Sequence, residues 1–243
     1  LELEFEEEKS IYAEEGTLAH ETGELMLSLY LKLITKQAYT RKLNKLKINS
    51  FYSKEMEDYV KVYVDYCIEK INEAYARSKD AVILLEQRLD FSNYVPDGFG
   101  TGDLVIISDS ILEIIDLKYG KGVAVDATAN TQMMLYALGA LNQFEYLYDI
   151  EKLRMTIVQP RLDSISTDEI SVEALTEWAE SYVKPRAEMA IIGEGQFCAG
   201  EHCRFCRARY TCRSRAEENL KLTRFDFKSP ALLSDEEISE ILS

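Results

Sequence analysis

Histidine and proline are scarce in this chain, with two of the first and four of the second among 243 residues. Glycine numbers only 11, and no internal repeat or low-complexity tract appears, which sets aside solenoid and linker-dominated architectures. No apolar run approaches the roughly 20 residues of a membrane span and no secretory signal is recognisable, so a cytoplasmic protein with no membrane role is expected. Cations are outnumbered, with 28 Lys and Arg against 43 Asp and Glu and a formal net charge of −15. That argues against a chain coated in basic surface for non-specific nucleic-acid binding and leaves room for a local basic groove.

What is present is an ordinary globular balance, 47% hydrophobic and 29% charged. The length suits one large domain, or one domain with an appendage. The chain begins at Leu1 and ends inside a helical pattern, so a fragment or a trimmed chain is expected. Acids crowd Leu1–Glu15, read as solvated surface. Helical spacing of Leu18, Leu25, Met26 and Leu29 follows, with His20 and Glu24 stacked four apart. His20 reads either as a satisfied helix-surface histidine or as a ligand. Residues 35–52 are the most basic stretch, read as a solvated loop or helix face, with a phosphate-contacting edge as the alternative. A long helix is predicted from about Ser53 to Arg77, its Cys67 a small core residue. Strands are predicted over Ala81–Phe91, on both sides of Asp109, and over Leu153–Pro160. A helix carrying Gln132 and Tyr136 precedes the last of these. Another runs from about Ser171, bent or ended by Pro185. Ser234 with Glu237 forms a capping box ahead of a terminal helix. The order predicts a mixed α/β sheet flanked by helices.

Charged residues stand where a buried sheet should not tolerate them. Asp103 opens one apolar run, and Asp116 and Lys118 close the next on a shared strand face. An unpaired buried charge costs several kcal/mol, so such residues need ion partners or a job. A short antiparallel hairpin can bring Asp103 beside Asp116, and a divalent cation relieves their repulsion. The backbone carbonyl of Leu117 is a natural further oxygen ligand. Oxygen ligands suit Mg²⁺ or Mn²⁺, and an imidazole from His20 tilts the preference toward Mn²⁺. A structural Asp–Lys pair is the plain alternative. Gln132 and Tyr136, four apart on an apolar helix, either face the carboxylates, hold a nucleotide backbone, or bond internally.

Four of the five cysteines, Cys198, Cys203, Cys206 and Cys212, fall within fifteen residues, which suggests metal or cluster ligation more than disulfides. Arg204, Arg207, Arg209 and Arg213 surround them, a local basic patch and a candidate DNA contact. His202 is a further donor if the metal is zinc.

The motifs Gly100-Thr-Gly-Asp103, Glu113-Ile-Ile-Asp116-Leu-Lys118 and Gln132-Met-Met-Leu-Tyr136 resemble, in order, those of the PD-(D/E)xK nuclease superfamily. The Glu-Gly-Thr-Leu-Ala-His20 segment is similar to the upstream histidine motif of its RecB-like branch. The wording around Lys118 and the cysteines is similar to a phage-associated RecB-like family of uncharacterised proteins. The resemblance implies a restriction-endonuclease-like mixed sheet with a C-terminal Cys-rich module. It would divide the chain into a nuclease core over 1–195, with a helical insertion at about 53–78, a Cys-rich module over 196–218, and a tail over 219–243.

It further implies a metal-dependent DNA nuclease, expected to be an exonuclease, working in phage recombination or DNA processing inside a bacterial host cell. Its substrates would be DNA ends or single strands, and its companions a phage recombination protein or helicase. His20, Asp103 and Asp116 would be metal ligands, Lys118 the catalytic lysine, and Gln132 and Tyr136 assistants at the active site. Glu86 matches no motif and is kept as a carboxylate supporting the ligands. Cys203, Cys206 and Cys212 resemble three ligands of an iron–sulfur staple, a [4Fe-4S] cluster or zinc, with Cys198 a local fourth. A catalytically idle module binding DNA or a partner is the alternative.

Overall fold

The apolar runs expected as strands form the middle of a five-stranded sheet: Val82–Asp90 (β1), Phe99–Ser108 (β2), Ile111–Leu117 (β3), Lys152–Gln159 (β4) and Ser164–Ser171 (β5). These strands are neighbours in chain order. β1, β2 and β3 pair antiparallel, β3 and β4 run parallel, and β4 and β5 pair antiparallel. The parallel step needs a crossover, supplied by helix Thr131–Phe144 (α4), whose first turn is capped by Asn130. The computed structural model describes residues 5, 11–223 and 233–242. Most of the acidic stretch Leu1–Glu15 up to residue 10, and residues 224–232 of the expected tail, therefore lie outside the described residues.

Each sheet face buries its own apolar layer. Val105, Ile107, Leu112 and Ile114 meet Met133, Ala137 and Leu141 of α4 on one side. Leu104, Ile106, Ile115 and Leu117 meet helices Ile11–Tyr30 (α1) and Lys54–Arg77 (α3) on the other. α3, expected as an insertion, is integral to that layer: Met56, Val60, Cys67, Ile71 and Ala74 are fully buried. Its start follows the sequence reading closely, because the Ser53 hydroxyl accepts from the Met56 N–H at 3.0 Å. The basic stretch folds as helix Lys36–Leu46 (α2), capped by Thr35.

Two departures have local causes. β5 escapes detection because Ser-Ile-Ser-Thr-Asp-Glu-Ile-Ser alternates between half-buried and exposed positions at the sheet edge, with only two aliphatic residues. The helix expected to bend or end at Pro185 is interrupted one turn before it rather than at it. Val172–Trp178 (α5) widens into a π turn over Ala179–Val183 before Lys184–Ile191 (α6), placing Pro185 in a fresh first turn where no N–H is needed.

All of this lies in one compact unit, Ser10–Gly193; Glu194–Ser243 falls in a second. The second holds helices Arg213–Leu222 (α7) and Asp235–Leu242 (α8). The expected capping box is present: Ser234 N–H donates to Glu237 Oε2 at 3.1 Å, and Glu237 N–H to Ser234 Oγ at 3.3 Å.

Candidate metal centre

One row of apolar side chains facing α4 ends in charge: on β3, Leu112 and Ile114 continue to Asp116 and Lys118. On β2 it is Gly100 and Gly102 that face this layer, and Asp103 turns to His20 of α1. Leu104 pairs with Ile115 across the hairpin, so Asp103 and Asp116 are the next positions on neighbouring strands. They are 8% and 3% exposed, too buried to leave two carboxylates uncompensated. Asp103 is held from both sides. Its Oδ2 accepts the Leu117 N–H at 2.6 Å, and its Oδ1 lies 2.9 Å from His20 Nδ1 on α1. Leu117 therefore meets the site through its amide N–H. Asp116 Oδ2 stands 2.9 Å from Lys118 Nζ, yet no contact to that oxygen has hydrogen-bond geometry among the described residues.

Ligand atoms of His20, Glu86 and Asp103 lie within 4.8 Å of one another. His20 reaches Asp103 from α1, and Lys118 reaches Gln132 of α4, so the site draws on both helix layers at the sheet end. Glu86 enters by an unusual backbone. Leu85 pairs with Leu104 and Gln87 with Gly102, while Glu86, opposite Asp103, adopts φ +46°. A left-handed residue other than glycine costs roughly 1–2 kcal/mol, a strain concentrated at functional sites. Sequence reasoning gave Glu86 only a supporting role; the available signal was a lone carboxylate after four apolar residues.

The electrostatics agree with a surplus of negative charge. Glu86 is exposed at the rim, yet partial desolvation and then the Asp103 charge push it up to about 7. Burial and Asp103 push Asp116 up to about 6 against the opposing pull of Lys118. Burial works to lower His20, but the hydrogen bond and charge of Asp103, with Asp116 and Glu86, outweigh it and the imidazole is raised. Protons are thus drawn to a place where a divalent cation would serve the same end.

Lys118 is also held by α4. Its Nζ donates to Gln132 Oε1 at 2.8 Å, and Gln132 Nε2 donates to the Tyr136 hydroxyl at 2.8 Å. Asp116, Lys118, Gln132 and Tyr136 thus form one chain of contacts, which ties the expected helix motif to the carboxylates.

In the second unit Cys198 is exposed and Cys203, Cys206 and Cys212 are half-buried, all as free thiols. Among the described residues no three of these sulfur atoms lie within 4.8 Å of one another. Arg204 lies over the Phe205 ring, Arg209 over Tyr210, and Arg213 is paired with Glu217. Cys67 is the core residue it was read to be.

Among the described residues no helix is long and apolar enough to cross a membrane. A solved structure named "Crystal structure of SSO0001" is 16% identical, covers 73% of this chain and 80% of its own, and superposes with a TM-score of 0.31, too slight a likeness to argue from. The family described as "Protein of unknown function (DUF2800)" matches residues 1–243, and the chain belongs to that family.

Proposed function

We propose that the chain is a divalent-metal-dependent nuclease of the PD-(D/E)xK, RecB-like kind, hydrolysing phosphodiester bonds in DNA. The observation that carries the reading is the gathering of His20, Glu86, Asp103, Asp116 and Lys118 at one end of the sheet. The donors fit a hard cation: three carboxylates, one imidazole, and a buried Asp116 oxygen without a hydrogen bond. His20, Glu86, Asp103 and Asp116 would hold Mg²⁺ or Mn²⁺, with the Leu117 carbonyl as a further oxygen. When bound, the ion supplies a water of lowered pKa and offsets charge on the phosphodiester oxygens.

The chain's own groups do the rest. Lys118, fixed between Asp116 and Gln132, places an ammonium where negative charge grows in the transition state. Tyr136 fixes Gln132 and so the ammonium's position. Asp103, held by the Leu117 N–H, keeps its second oxygen toward His20. The motif resemblance supports a place in phage recombination or DNA processing. The four clustered cysteines take no part in this reading.

Labelled single- and double-stranded DNA incubated with Mg²⁺ or Mn²⁺ tests it. Cutting should require the metal and fall by about a hundredfold or more in Lys118→Ala, the usual loss on removing one preorganised charge-stabilising group. Absence of any metal- and Lys118-dependent cutting would overturn the proposal. DNA binding without cleavage would leave a catalytically idle module.

A further inference from the structure

Residues 25–53 contain six Lys and Arg and no Asp or Glu, in a chain where acids outnumber cations by 43 to 28. The centre of this window is α2. Elsewhere, several helix-surface cations are laced to acids one turn away: Lys54 to Asp58, Lys61 to Asp65, Lys70 to Glu73, and Lys184 to Glu180. By contrast, Lys32, Lys36, Arg41, Lys42, Lys45 and Lys47 make no ion pair among the described residues. Lys36 even occupies the first turn of α2, where the helix dipole disfavours a cation and no acid offsets it. Unrelieved repulsion of this kind weakens an isolated helix, so the charge pattern answers to something outside the fold.

Position says what that is. A cleft of about 260 Å³ separates α1 from α2, with Glu21, Glu24 and Ser28 on one wall and Lys42 and Lys45 on the other, so the α2 wall supplies its cations. Glu24 is one turn beyond His20 on α1, and its charge acts on Glu86. At 1.5 Å per residue, His20 to Ser28 is about 12 Å of helix, the axial reach of roughly three or four nucleotides. A second row, Lys36, Thr40, Arg41 and Asn44, lines the outer face of α2.

We infer that α2 is the phosphate track of the protein, a surface that holds the sugar–phosphate backbone of a nucleic acid and leads it to the carboxylate site. The inference rests on the nuclease reading for its direction and on charge complementarity for its partner. An anionic lipid surface is the less suitable occupant. A helix lying in a membrane interface needs an apolar face, and the apolar residues of α2 (Tyr39, Leu43 and Leu46) are turned inward and half-buried.

Binding is measured on the full chain in chelator, where no cleavage occurs, so binding and cutting are read separately. Arg41→Gln, Lys42→Gln and Lys45→Gln are combined, with Lys54→Gln and Lys61→Gln as the control pair on α3. The α2 variant should bind a labelled single-stranded oligonucleotide about tenfold or more weaker at low salt. The slope of log affinity against log salt should drop by about 2, as expected for losing three phosphate contacts. The control pair should change neither. Lysine acetylation of the unaltered chain gives an answer even if the variant folds poorly: the oligonucleotide should protect Lys36, Lys42 and Lys45. Unchanged affinity and slope, failure of the chain to bind the oligonucleotide, or protection by phosphatidylserine vesicles but not by oligonucleotide would each overturn the inference. Binding that depends on α2 without metal-dependent cutting would sink the nuclease reading and leave this one standing. Cutting with binding indifferent to α2 would do the reverse.

Discussion

Gly100 gives up its side-chain position to Tyr136. A Cβ at residue 100 would overlap the Tyr136 ring, with Cδ1 only 2.9 Å and Cζ 3.0 Å away. The glycine upstream of Asp103 is thus a packing requirement set by a helix residue far along the chain. Through Tyr136 it reaches Gln132, and through Gln132 it reaches Lys118.

Gly100→Ala is expected to tilt the Tyr136 ring and loosen Lys118. An overpacked methyl destabilises by about 1–3 kcal/mol. DNA cutting should fall by about tenfold, since misplacing a catalytic group by a fraction of an ångström to an ångström is enough. Tyr136→Phe separates the two effects: it keeps the ring on Gly100 and removes only the hydroxyl that Gln132 reaches. Thermal melts and cleavage rates on both variants check this. Gly100→Ala with full activity and an unchanged melt would contradict the packing account.

Stability of the metal-free protein should fall as pH rises from about 4 to about 7. Glu86 is raised to about 7 and Asp116 to about 6, from ordinary values of 4.5 and 3.8, and His20 is raised as well. The folded state therefore binds more protons than the unfolded chain in this window, and such stability is lost as the protons leave. Divalent ions take over their place, so the melting-temperature gain from saturating Mn²⁺ should grow across the same range. Ordinary carboxylates titrate alike in the comparison of wild type with Glu86→Gln/Asp116→Asn, which should flatten the metal-free profile. A wild-type profile in chelator no steeper than the double variant's would refute the assignment.

How much of this was legible beforehand follows from how local each signal is. Asp103 beside Asp116 could be anticipated because a tight hairpin joins β2 to β3, and register then follows from counting. α3 was legible from its apolar stripe and Ser53 cap. Glu86 was not, because its place depends on a left-handed backbone and on β1 pairing with β2 across a loop. β5 lacked the apolar residues that mark a strand.

Arg154 should prove indispensable to stability without touching the site. Glu113 is 1% exposed in the middle of β3, its Oε2 lies 3.5 Å from Arg154 Nη1, and its Oε1 has no hydrogen bond among the described residues. Burial raises its pKa, and Arg154 is the leading opposing charge. Arg154→Met strands that carboxylate and should destabilise by about 3–5 kcal/mol in urea melts. Replacing both, as Glu113→Met/Arg154→Met, should recover most of the loss. A double variant as weak as the single one would show that the pair matters for packing rather than charge.

Glu86→Gly should stabilise the metal-free protein while weakening the site. At φ +46° glycine removes the left-handed strain, worth roughly 1–2 kcal/mol, and the substitution also takes away a carboxylate that repels Asp103 and Asp116. Against this, glycine raises the entropy of the unfolded chain, an effect of about 1 kcal/mol, so a modest net gain in chelator is expected. Mn²⁺ affinity, read by titration calorimetry, should drop by about tenfold or more with the loss of one charged oxygen donor. Opposite movement of stability and metal affinity is what a strained ligand produces. Glu86→Gln sharpens the reading, because it keeps the strain and removes the charge. Its metal affinity should fall like that of Glu86→Gly, while its metal-free stability should rise less than Glu86→Gly if strain is relieved only by glycine. Equal stability in the two variants would assign the whole effect to charge and none to backbone.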